Sequence, residues 1–235
     1  FLTILGVVIG VAAVITMVTL GNGATRSVSD QIASMGSNLV MLMPGQRFGP
    51  GSEGAPNFKV ADVEAIRNQI GAVKAVAPTV SKTATAVYQA RNWSTVVNGS
   101  SEDFFEAGNW TLAAGRTFSE TEERAGKAVC VIGETVRGKL FDRQNPVGSE
   151  IRIKQFACEV IGLLASKGQG AFGNDQDDVV VVPLKTLQRR ITGSTRVNTL
   201  LVSMADGADA DSVKAGLTQL LRERRKLADT DPDNF

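Results

Sequence analysis

Cys130 and Cys158 are the residues of this chain with the most specific chemistry open to them. Both fall in segments whose apolar texture predicts strands. In an oxidising compartment they can form a disulfide, over a loop long enough for the bridge to stabilise the fold by about 3 kcal/mol. Two separately buried thiols fit the sequence equally well. Histidine is absent, which removes His-dependent triads, His-ligated zinc and imidazole acid–base chemistry together. No grouping of Ser, Cys, Lys and carboxylates has a catalytic spacing, so no catalysis, metal or cofactor is expected in this segment. Gly168-Gln-Gly170-Ala-Phe-Gly173 matches G-x-G-x-x-G. A dinucleotide site requires that turn to follow a strand and open a helix. Here the acidic run Asn174 to Asp178 and a predicted strand follow, and their charge would repel phosphates, so the segment reads as a Gly-rich loop. Asp229, Asp231 and Asp233 lack the central Gly and terminal Glu of a calcium loop and read as a solvated acidic linker. The basic run Arg222 to Lys226 sits where cations offset a helix C-terminal dipole. Trp93, Trp110 and Tyr88 are too scattered for a base-stacking platform. The sequons at Asn92, Asn98 and Asn109 carry meaning only in a eukaryotic secretory host.

The elements that must carry these residues begin with an uncharged run. Phe1 to Leu20 holds no ionisable side chain, Pro, Asn or Gln, and the first charge is Arg26. At ~1.5 Å rise per residue it matches a bilayer core of roughly 30 Å, so residues 1–20 are expected to form a transmembrane helix. The run is long for a signal peptide, has no basic segment before it and no clear cleavage site after it. Gly6 and Gly10 make a G-x-x-x-G spacing open to helix packing. Ala24, Val28, Ile32 and Met35 continue one helical stripe, predicting a stalk over 21–36 that ends at Gly36. Gly21 and Gly23 are its weak points, as a hinge or as small packing residues. Starting at Phe1, inside the apolar run and without Met, the chain reads as part of a longer polypeptide. Elsewhere its 235 residues are ordinary for a globular protein, 43% hydrophobic and 21% charged. The balance of 25 Lys+Arg against 24 Asp+Glu argues against a nucleic-acid binder.

Beyond residue 36 the pattern predicts an α+β fold. A strand is expected over 37–43, then a Gly- and Pro-rich loop, a helix over 61–70 and a strand over 72–80 ending near Pro78. Short alternating strands follow at 82–89 and 92–98, with a helical turn near 102–106. Ser119-x-x-Glu122 is a capping box. Strand 127–132, helix 133–141, strands 150–154 and 156–164, strand 179–182 and a helix from Pro183 come next. Strand 197–204 leads to a helix over 209–225 with inner stripe Val213, Leu217, Leu220 and Leu221. The outer parts, 37–81 and 195–228, suggest a split α/β subdomain. A strand-rich second subdomain, 82–194, is inserted in it, and 229–235 is a linker toward a further membrane helix.

The chain resembles the MacB-like ABC transporter permeases, a group that includes the lipoprotein-releasing and FtsX-like permeases. The resemblance rests on Leu5-Gly6 with Gly10, Gly21 with Arg26 and Gln31, Gly36-Ser37-Asn38-Leu39 and Pro44-Gly45. It continues through Pro78, Gly99…Phe104-Phe105, Leu112-x-x-Gly115-Arg116-x-Phe118 and Val131-Ile132-Gly133, then Leu140-Phe141, Pro146-x-Gly148 and Val160-Ile161-Gly162. It implies a periplasmic core domain with its first membrane helix, and a porter-like unit as the α/β subdomain. It also implies an inner-membrane location with residues after about 20 in the periplasm. Further membrane helices and a nucleotide-binding ATPase domain, fused or separate, would use the ATP. Partners would be a second copy or a paralogous permease, and a periplasmic adaptor. The expected function is to transmit ATP-driven motion to the periplasm and to dock an adaptor or substrate in efflux of drugs, peptides or lipoproteins. A stand-alone membrane-anchored binding module is the alternative, and it requires no further apolar runs after Phe235.

Overall fold

The computed structural model describes Met17 and residues 38–45, 55–142, 144–170 and 173–235. The expected transmembrane helix 1–20 (Met17 apart), the stalk 21–36 and Gly6, Gly10, Gly21 and Gly23 lie outside the described residues. Among the described residues no helix is long and apolar enough to cross a membrane. Residues 38–235 form one compact unit.

That unit is a mixed α+β fold. In chain order it runs β1 (Leu39–Leu42), α1 (Val60–Gln69), β2 (Val73–Tyr88), β3 (Arg91–Ser100), α2 (Asp103–Ala107) and β4 (Leu112–Gly115). Next come α3 (Glu120–Ala125), β5 (Val129–Ile132), α4 (Glu134–Phe141), β6 (Glu150–Ile153) and β7 (Phe156–Leu164). It closes with β8 (Val179–Pro183), α5 (Leu184–Leu187), a π-helical turn at Gln188–Thr192, β9 (Thr199–Met204) and α6 (Ala210–Arg225).

The strands order as β1-β9-β2-β3-β8-β5-β7-β4, while β6 pairs with both β2 and β7. Following the pairs β2-β3-β8-β5-β7-β6 returns to β2, so six strands close a ring. β5, β6 and β8 alternate along their length. Cys130 and Ile132 of β5, Val180 and Val182 of β8, and Ile151 and Ile153 of β6 belong to one buried cluster that fills the ring. Val129 and Val131, with Val179 and Val181, face the opposite way, into a second cluster under Phe104, Phe105 and Phe118. The unbroken apolar runs VCVI and VVVV follow from this, because both faces of those strands are covered. α4 packs Val136, Leu140 and Phe141 against the ring interior, with Phe141 stacked on Tyr88 at 4.1 Å.

β2 joins the ring to a three-stranded flank. Residues 73–79 pair with β9, which pairs onward to β1, and residues 80–88 pair with β3. Two separate strands, 72–80 and 82–89, were the expectation; one strand of 16 residues is found. Pro78 does not end it, because the partner changes beside it. On one side β9 is about to leave, and on the other β3 has not begun, so the missing N–H falls where no ladder bond is due. Ser100 Oγ donates to the Pro78 carbonyl at 2.9 Å and fixes the hand-over. α1 and α6 cover the flank and bury Val63, Ile66, Val213, Leu217 and Leu221.

Candidate functional site

Most of the chemistry-bearing residues serve the fold. Cys130 on β5 and Cys158 on β7 are fully buried in the ring, and their Cα atoms lie 6.0 Å apart. The Gly-rich loop is tied down by Asp177, which is only 5% exposed. Its carboxylate accepts from the backbone N–H groups of Lys167 at 2.8 Å and Gly168 at 3.0 Å and from the Ser166 hydroxyl. Those amides are the donors a phosphate would need, and the loop leads into β8 rather than a helix. The aromatics remain apart. Trp93 donates to Asp178 at 2.9 Å with Lys139 over its ring, and Lys167 lies over Trp110. Burial lowers the Lys167 ammonium from its usual range, against the opposing pull of Asp177.

Carboxylates converge between α2 and α3. Asp103 pairs with Arg67, Glu123 accepts from the Glu102 backbone at 3.1 Å, and Glu122 takes a bidentate contact from Arg116 at 2.7 and 2.9 Å. The Arg116 guanidinium holds the Glu122 carboxyl well below the usual carboxylate range, aided by the Ser119 N–H and Lys127. Burial, with Asp103 and Glu102 nearby, pushes Glu123 up. Among the described residues no group of His, Cys, Asp and Glu has the arrangement of a metal site.

A denser arrangement joining distant parts of the sequence lies at the C-terminal end of α6. Asp209 caps the start of this helix, accepting from Ser212 N–H at 3.0 Å, and Lys226 ends it in the left-handed conformation. The basic run there does more than offset a dipole. Arg224 reaches across to Asp62 of α1 at 2.7 Å. Arg222 donates to the carbonyls of Ala228 at 2.6 Å and Asp231 at 3.0 Å and pairs with Asp233. Arg225 donates to the Asn234 carbonyl at 2.7 Å and to its side chain, and its guanidinium lies 4.8 Å from the Phe58 ring and 5.4 Å from the Phe235 ring. The Asn234 carbonyl also accepts from Gly45 N–H at 2.8 Å. Asp229, Asp231 and Asp233 are exposed to solvent, while the end of the segment is tied back to the unit, with Asn234 8% exposed. Sequence reasoning missed the pairings of Arg224 with Asp62 and of Gly45 with Asn234 because those partners are remote along the chain. Beside this knot, β1, α6 and Phe235 bound an open groove of about 260 Å³, with Met41 and Met43 more than half exposed at its rim.

The family model of the MacB-like periplasmic core domain matches residues 1–220. The macrolide export ATP-binding/permease protein MacB of Syntrophobacter fumaroxidans is 39% identical over 223 residues, covering 91% of this chain and 31% of its own length. Its counterpart in Bdellovibrio bacteriovorus is 36% identical over 230 residues, covering 96% and 35%. The chain therefore spans about a third of the length of the curated relatives it matches. The periplasmic region of MacB from Actinobacillus actinomycetemcomitans shares the fold with a TM-score of 0.70 at 23% identity, over 83% of this chain and 87% of that one. So does the extracellular domain of the noncanonic ABC-type transporter YknZ from Gram-positive bacteria, with a TM-score of 0.64 at 21% identity, over 80% and 95%.

Proposed function

This chain belongs to the MacB-like periplasmic core domain family, and from that premise we propose that residues 38–235 transmit ATP-driven motion to the periplasmic side of an inner-membrane ABC transporter. The observation that carries this reading is the family match across residues 1–220, with relatives named as ATP-binding/permease proteins aligned over nearly the whole chain. ATP is used by a nucleotide-binding domain, fused or separate, and this segment contributes motion and docking rather than catalysis. We infer from the sequence that residues 1–20 are the first membrane helix and 21–36 the stalk, with Gly6 and Gly10 open to helix packing and Gly21 and Gly23 as a hinge or as small packing residues. The partners are a second permease copy or a paralogue and a periplasmic adaptor. The cargo is of the class the relatives' names give, a macrolide.

The unit's build supports a role in transmitting force. Its ring is closed by backbone hydrogen bonds on all sides, and a continuous core links the ring to the flank beneath α1 and α6. Such a body moves as a piece instead of deforming. The test is ATP-driven erythromycin export by the full-length protein in proteoliposomes, with the unit 38–235 intact or replaced as a whole by a short Gly-Ser linker. Loss of export with ATP hydrolysis retained is the expected result. Equal export by both forms would remove the role.

A further inference from the structure

The knot at the end of α6 exceeds what a helix end requires. A C-terminal cap needs only local bonds to the last carbonyls, and the N–H groups of Lys226 and Leu227 supply them to Glu223 at 3.1 Å and Arg222 at 3.0 Å. Residues 233–235 are nevertheless drawn further, onto Gly45, almost the whole described length of the chain away. Ordering a polar, irregular tail costs conformational entropy at every residue, so the contacts that hold it must be more than incidental. They are of three kinds. Gly45 N–H donates to the Asn234 carbonyl, and the approach is so close that a Cβ on Gly45 would lie 2.8 Å from the Asn234 carbonyl carbon. Arg225 grips the same carbonyl from the other side and lies against the Phe58 and Phe235 rings. Phe235 then rests on the core cluster, as Val40 and Leu42 of β1 do.

We propose that Arg225 is a positioning residue that, with Gly45, clasps residues 228–235 to residues 43–45, so that the two segments move together when the transporter cycles. The proposal rests on the transmission reading above and names the residues that keep its two chain segments in step. Arg225 suits the task because a guanidinium donates in its plane and can still lie against rings, here Phe58 and Phe235, which an ammonium cannot do as well.

The experiment follows backbone hydrogen exchange in the full-length protein in nanodiscs, without nucleotide and with ATP plus orthovanadate, together with ATP hydrolysis. The variants are Arg225→Gln, Gly45→Ala and Arg225→Lys. Expected without nucleotide is exchange in 228–235 about tenfold faster in Arg225→Gln and Gly45→Ala, with α1 and β2 unchanged. ATP hydrolysis stays within about twofold of the parent. The nucleotide-dependent change, present in both segments of the parent, then disappears from one of them, and Arg225→Lys recovers part of it. A nucleotide response that survives in both segments despite an opened tail overturns the clasp and leaves the transmission reading standing. Faster exchange throughout α1 and β2 in the variants overturns it too, as a plain stability role. No nucleotide response anywhere in residues 38–235 of the parent overturns both.

Discussion

At the scale of single residues, the tightest constraints are places where two backbones touch. Gly115, in the left-handed conformation, and Gly162 lie where β4 crosses β7; a Cβ on Gly162 would sit 2.4 Å from the Arg116 carbonyl oxygen. Gly162→Ala is expected to cost about 2 kcal/mol, because backbone rather than a mobile side chain must yield, and urea unfolding measures it. We also propose that Cys130 and Cys158 are bridged in the oxidised protein, since both are buried and their Cα spacing of 6.0 Å is one a disulfide spans. Non-reducing peptide mapping should yield one linked peptide pair; two alkylatable thiols under denaturing, unreduced conditions would refute it. The carboxylates of α3 make opposite contributions with pH. Glu122 is held low by Arg116, so its stabilisation is complete above the unfolded value and fades only as pH falls through the lower folded one. Glu123 is held high by burial, so the folded state takes its proton first and stability falls as pH rises through the raised value. Glu123→Gln should therefore raise the melting temperature at pH 7 and leave it nearly unchanged below the ordinary carboxylate range. A fall at pH 7 would show that the carboxylate's contact with the Glu102 N–H outweighs its burial.

At the scale of elements, what could be read from the sequence was what local chemistry determines. The Asp209 cap, the stripe Val213, Leu217, Leu220 and Leu221, and the Ser119–Glu122 capping box all appear in place, because each is made by neighbours three or four residues apart. β4 carried no such signal: Leu-Ala-Ala-Gly has no alternation, and it is a strand only because β7 offers an edge. The π-helical turn after α5 was equally silent. Arg224 shows the same limit in the basic run, since its partner Asp62 lies on another helix. Asp62 also accepts from the Lys59 N–H at 2.8 Å, so one carboxylate both caps α1 and ties it to α6. Asp62→Ala should cost about 2 kcal/mol and Arg224→Ala about half that, because the arginine is a third exposed and the cap survives its loss. Leu217→Ala, at 1% exposure beneath both elements, should cost about 3 kcal/mol. Chemical denaturation ranks the three.

At the scale of the molecule, the pattern in the segments between 82 and 183 predicted the ring strands, though not β4, and carried no trace of their closure into a ring. Closure depends on β6 meeting β2 at Ala86 and Val87, a contact between short stretches remote in sequence. The continuity of β2 across residue 81 was likewise invisible, since Pro78 reads locally as a terminator and its harmlessness depends on which neighbours flank it. One consequence is thermal. With β2 shared between ring and flank and one core cluster running through both, residues 38–235 should melt in a single transition. Trp93, in the ring, and a label on exposed Met41 replaced by Cys, in the flank, should report the same midpoint, and two midpoints would separate the halves.

β1 sits at the edge of the flank and pairs only with β9, so Leu39 waits for Ser203. Those residues are about 160 positions apart, which at a ribosome's 5–20 residues per second is about 8–30 s of synthesis. Throughout that interval an uncharged apolar strand, Leu-Val-Met-Leu, has no native partner. The last strand made is the one that completes the first, so the nascent chain depends on whatever shields that strand, a chaperone or the membrane surface, until the end of β9 emerges.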